Sequence, residues 1–115
     1  MTDRELLELA AKAARLTARG GDTFGGPLLV NLMYVACDGV GEWDLWDPLT
    51  DDGDALRLAV KLRIGVQCHQ ERGDYVLADD GDGHECCLSF GPEGDPYAAT
   101  RRAIVRAAAE IGRTM

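Results

Sequence analysis

Between Asp95 and Arg113 the chain reads DPYAATRRAIVRAAAEIGR, and no other stretch limits the fold as tightly. Asp95 suits a helix N-cap, and Pro96 suits the first helical position, where the N–H it lacks would have been unpaired anyway. Tyr97, Thr100, Ile104, Ala107, Ala108 and Ile111 then recur at steps of three and four, with Arg101, Arg102 and Arg106 on the other side. The spacing predicts a long helix that packs one face inward and shows arginine outward. The rest of the chain must supply the surface it packs on.

Two further helices are legible. Thr2 and Glu5 fit a capping box, and Leu6, Leu9, Ala10, Ala13, Ala14 and Leu16 give the following helix an apolar face, ending near Arg19. Asp47 to Asp54 gathers capping and acidic residues ahead of Ala55 to Arg63, with Lys61 and Arg63 at the end where cations suit the helix dipole. Gly65 lets the chain leave that helix.

Between the helices the pattern changes to strands. Leu28 to Ala36 reads as a buried strand after a glycine-rich break, and Glu42 to Trp46 as a short returning strand or an aromatic loop. From Ile64 onward the period is two. Val66 and Cys68 alternate with Gln67 and His69, Tyr75 and Leu77 follow a turn, and Asp80-Gly81-Asp82-Gly83 makes another turn. His84, Cys86, Leu88 and Phe90 then share one face of a strand, with Glu85, Cys87 and Ser89 on the other. The expected fold is α+β, three helices packed on one face of a small antiparallel sheet, in the order α-β-(β)-α-β-β-β-α. At 115 residues it is expected to be a single domain, 1–115.

Twenty acidic against twelve basic residues give a formal charge of -8, which argues against unaided binding to nucleic acid or an anionic membrane. Two stretches, Arg19 to Arg57 and Arg72 to Arg101, contain no lysine or arginine between their ends and hold most of the carboxylates. The polar start of the chain resembles no signal peptide and no apolar run approaches a membrane span, so a cytoplasmic location is expected. Cys37, Cys68, Cys86 and Cys87 are then expected to be free thiols.

The candidate chemistry is thin. Zinc favours thiolate and imidazole, but neighbours on a strand point to opposite faces, so Cys68 and His69 cannot easily share an ion, nor Cys86 and Cys87. That leaves Cys68, His84 and Cys86, which converge only if their strands are adjacent; otherwise the two cysteines are small core residues. A nucleophilic Cys37 or Cys87 would need a cationic neighbourhood that these acidic stretches do not supply. Asp79 to Glu85 fails the calcium-loop pattern, and the chain has no phosphate-binding glycine loop, serine elbow or dinucleotide fingerprint. Trp43 and Trp46 are candidate interface anchors or, on burial tendencies, core residues.

Three blocks, Met1 to Ala14, Trp46 to Leu62 and Asp95 to Arg113, resemble a family of small bacteriophage and prophage proteins, most closely along PLTDDGDALRLAV from Pro48 to Val60. The family commonly has asparagine after Trp46, where Asp47 stands here, a change between two residues that both cap or turn. The resemblance implies a phage origin and no settled activity.

The expectation is therefore a non-enzymatic accessory protein with no cofactor. It would bind a host protein, one of a defence or regulatory system, with an acidic surface of Asp38, Glu42, Asp44, Asp79, Asp80, Asp82 and Glu85 occupying a basic groove. The alternatives are a small zinc-binding or thiol-dependent enzyme and a nucleic-acid binder using the last helix. An exposed apolar side on either the first or the last helix would favour a homodimer.

Overall fold

The computed structural model describes residues 2–15, 17–20, 28–31, 43–69, 74–90 and 94–115. In chain order these form α1 (Asp3–Ala13), β1 (Thr17–Gly20), β2 (Leu28–Asn31), β3 (Trp43–Trp46), α2 (Asp52–Leu62), β4 (Gly65–His69), β5 (Tyr75–Asp79), β6 (Glu85–Ser89) and α3 (Pro96–Arg113). The class is the expected α+β. The strands, however, form two antiparallel sheets of three, β1-β2-β3 and β4-β5-β6, rather than one.

α1 begins with the capping box: Glu5 N–H donates to Thr2 Oγ1 at 3.2 Å, and Thr2 N–H donates back to Glu5 Oε2 at 3.4 Å. It stops six residues before the expected end near Arg19, because Arg15 turns the chain with a left-handed φ of 59°. β-branched Thr17 then opens β1, which pairs with the apolar β2 from Thr17 opposite Asn31 to Gly20 opposite Leu28. A sheet partner distant in sequence has overridden a weak local helix preference. Of the expected segment, Trp43 to Trp46 is a returning strand, with Glu42 outside the described residues: β3 pairs with β2, Leu28 opposite Trp46 and Asn31 opposite Trp43. Trp46 is 6% exposed and belongs to the core, which removes it as an interface anchor.

α2 is capped by Asp51, whose Oδ2 accepts from Asp54 N–H at 2.7 Å. It ends through Arg63, again left-handed with φ 57°, rather than through Gly65. Ile64 N–H donates back to the Ala59 carbonyl at 2.8 Å, and the buried Ile64 side chain seals this exit. Gly65 instead begins β4.

α3 starts as expected, with Asp95 Oδ1 accepting from Tyr97 N–H at 2.9 Å and Ala98 N–H at 3.3 Å. Its buried arc is wider than predicted. Ala103, Val105 and Ala109 are buried with Ile104, Ala107 and Ala108, because α3 lies on β5 and β6 with α1 on one side and α2 on the other. Tyr97, expected inside, is 71% exposed. Small residues let the helices approach closely. A Cβ on Gly112 would stand 2.1 Å from the Leu9 carbonyl oxygen, so only glycine fits where α3 crosses α1. Beneath α3, Val76 and Ala78 of β5 are fully buried, and Cys86 and Leu88 of β6 pack against them.

Candidate functional site

The register of the second sheet decides what each face carries. On the face under α3, Val66, Ala78 and Cys86 form one row across the strands, and Cys68, Val76 and Leu88 another. On the opposite face the rows are Gly65, Asp79, Glu85; Gln67, Leu77, Cys87; and His69, Tyr75, Ser89. Glu85, Cys87 and Ser89 are exposed, and Tyr75, Leu77 and Asp79 are half-buried. His69 stacks on Tyr75 with ring centroids 4.6 Å apart, and its Nε2 lies 3.3 Å from Gln67 Oε1.

At one end of this second face Asp79 and Glu85 stand directly opposite each other. Like charges in that position destabilise a sheet, and Gly65, next in the row, brings no counter-charge. Asp82 is exposed at the turn beyond them.

Two of the predicted acidic residues work inside that turn. Asp79 Oδ1 accepts from Gly81 N–H at 2.7 Å. Asp80 Oδ1 accepts from Asp82 N–H at 2.8 Å and His84 N–H at 3.1 Å, while its Oδ2 meets His84 Nδ1 at 2.7 Å. Burial of the Asp80 carboxyl opposes its ionisation, but the Asp82 backbone N–H, the His84 ring and the His84 backbone N–H outweigh it and hold its pKa below the usual carboxylate range. Gly81 and Gly83 supply the positive φ, 83° and 99°, that the turn requires. Asp80 is thus a turn-forming residue rather than a surface one, with its side chain 8% exposed. Asp38 and Glu42 lie outside the described residues; Asp44 and Trp43 are placed in β3 by backbone alone.

The three zinc candidates are not brought together. Cys68 and Cys86 face the same side, but β5 separates their strands and they lie in neighbouring rows, which puts them about 12 Å apart. His84 is turned to Asp80, and its Nε2 lies 3.4 Å from Thr114 Oγ1, tying the turn to the end of α3. Among the described residues no group of three His, Cys, Asp or Glu is arranged to hold a metal ion. Cys68, Cys86 and Cys87 are free thiols. Burial raises the Cys86 pKa against the opposing pull of Arg106, which leaves it a poor nucleophile.

The arginine stripe of α3 is largely engaged within the fold. Arg101 donates from Nε to the Leu49 carbonyl at 2.9 Å and from a guanidinium nitrogen to Asp52 Oδ1 at 2.6 Å, clamping the start of α2. Arg102 grips both oxygens of Asp3 at 3.0 and 3.3 Å, clamping the start of α1. That hydrogen-bonded contact lowers the Asp3 pKa. Of the three arginines, these two are turned away from the role a phosphate-binding stripe would give them.

One large feature lay outside the sequence reading. α3 covers β5 and β6 but meets β4 only sparsely, through contacts such as Cys68 Sγ with Thr100 Oγ1, so an apolar groove of about 730 Å³ runs between α2, β4 and the first turns of α3. Leu56 and Val60 of α2, 64% and 70% exposed, line it with Tyr97 and Val66. The signal was present: α2 has apolar residues at 55, 56, 58, 59, 60 and 62, more than one packed face uses. Among the described residues no helix is long and apolar enough to cross a membrane. No family model matches the chain, and the comparisons with curated proteins and with solved structures found no match.

Proposed function

We propose that this chain is a non-enzymatic accessory protein of phage or prophage origin that binds a basic surface of a host protein through the uncovered face of the β4-β5-β6 sheet. The observation that carries the reading is the Asp79 and Glu85 pair, directly opposite on that face without a counter-charge in the row. Such a pair works against the fold, and a local conflict of this kind is characteristic of a surface kept for another purpose. A cationic partner relieves it on binding. Asp82 beyond the pair and, at the other end of the same face, the stacked His69 and Tyr75 extend the surface with charge and flat apolar area. The residue blocks from Pro48 to Val60 and from Asp95 to Arg113 support the phage origin.

The test is capture from bacterial lysate with two baits, the wild-type chain and the Asp82→Asn/Glu85→Gln variant. Both substitutions fall on exposed side chains that cap no helix and are expected to leave the fold intact. The reading predicts a stoichiometric protein held by the first bait and lost from the second. Equal retention by both places binding elsewhere.

A further inference from the structure

α2 has two apolar faces, and the core uses one. Ala55, Leu58 and Ala59 are buried, whereas Leu56 and Val60 sit one turn apart on the exposed side, facing the groove. With Val66 and Tyr97, also exposed, they make a contiguous apolar patch, and clustered exposed apolar side chains mark an interaction surface more often than scattered ones do.

The charges at the two ends of this face select the occupant. Asp52 lines the groove at the start of α2 and Arg63 at its end. Asp52 gives one carboxylate oxygen to Arg101 yet its side chain remains 75% exposed. A second α2 laid antiparallel sets Leu56 of one copy against Val60 of the other and brings Asp52 of one beside Arg63 of the other. The two-fold axis repeats both contacts, so the face is complementary to itself. On a chain of formal charge -8, most approaches of two copies set acid against acid; this one pairs opposite charges around an apolar centre. Val66 and Cys68 of β4 line the groove, and β4 is an edge strand whose residues Gly65 to His69 include no Lys, Asp, Glu or Pro of the kind that normally guards an exposed edge.

We infer that a second copy of this chain covers the groove, forming an isologous dimer in which α2 packs antiparallel on α2. Leu56 and Val60 are its apolar anchors, and Asp52 with Arg63 fixes the direction of the helices. The acidic sheet faces lie outside this contact, so dimerisation stands independently of the host-protein reading.

Sedimentation velocity of the full chain across a concentration series tests the dimer. The expected particle contains two chains. Leu56→Asp and, separately, Val60→Asp are expected to give single chains with unchanged circular dichroism, since both side chains are exposed in one copy. Each substitution enters the interface twice, so the dissociation constant should rise by about 100-fold or more. Arg63→Asp should weaken the dimer as well, and aspartate tolerates the left-handed backbone at that position. A wild-type chain that sediments singly at every concentration overturns the inference, even if the groove then takes up a foreign helix or an apolar dye. So does a dimer that survives both apolar substitutions. If one variant fails to fold, the other and the wild type still decide.

Discussion

Asp80 Oδ2 lies 2.7 Å from His84 Nδ1, and the same carboxylate takes two backbone N–H groups, so one side chain closes the β5–β6 turn. Through His84 Nε2 and Thr114 Oγ1, 3.4 Å apart, that turn also reaches the end of α3. A loop that composition alone presents as acidic surface is held by an internal network.

Asp80→Ala should therefore cost about 2 kcal/mol near neutral pH, the scale of a nearly buried, multiply bonded carboxylate. Because the folded state holds the Asp80 carboxyl below its ordinary pKa, its contribution is complete above about pH 4 and fades as the pH falls further. Urea melts of wild type and variant from neutral pH to pH 3 check this. The difference between them should shrink in acid; a gap that stays constant or widens assigns the stabilisation to another group.

Gly112→Ala should destabilise, although alanine is intrinsically better in a helix by about 1 kcal/mol. The new Cβ would lie 2.1 Å from the Leu9 carbonyl oxygen, and backbone must move to admit it. A net loss of about 1 to 3 kcal/mol is expected, read by thermal melting. An unchanged or raised Tm would show that α1 and α3 are not in such close contact.

Arg101 and Arg102 should differ despite being neighbours. Arg101, its side chain 17% exposed, bonds both the Leu49 carbonyl and Asp52, so Arg101→Ala should cost about 1 to 2 kcal/mol. Arg102 and Asp3, 36% and 62% exposed, form a surface pair, and Arg102→Ala should cost less than about 1 kcal/mol. Denaturant midpoints of the two variants give the order directly.

Arg15→Gly should leave stability unchanged or raise it by up to about 1 kcal/mol, because glycine relieves the left-handed φ of 59° that ends α1. Arg15→Val should lower it, since a β-branched side chain is least tolerant of that backbone. The reverse order would mean that α1 continues beyond Ala14.

The sequence reveals this fold where local signals and packing agree. Thr2 with Glu5, Asp51 and Asp95 cap helices as their positions imply, and the alternation from Glu85 to Ser89 gives the correct inward and outward faces. It misleads where a distant partner decides. Thr17 to Gly20 leaves the helix because Leu28 to Asn31 pairs with it, and Tyr97 is left exposed because the start of α3 meets β4 only sparsely. The acidic site is half legible for the same reason. The sequence places Asp79, Asp80, Asp82 and Glu85 close together along the chain, but only the register sets Asp79 opposite Glu85 while the turn consumes Asp80. The groove depends on which strand α3 covers, a relation between elements that no local window contains.

The most direct test of the account is the salt dependence of affinity between the wild-type chain and the host protein it captures, measured beside the Asp82→Asn/Glu85→Gln variant. The account predicts binding that weakens steeply as salt rises and a shallower slope for the variant, which has lost two of the charges involved. Affinity that is indifferent to salt and equal for the two proteins would contradict it.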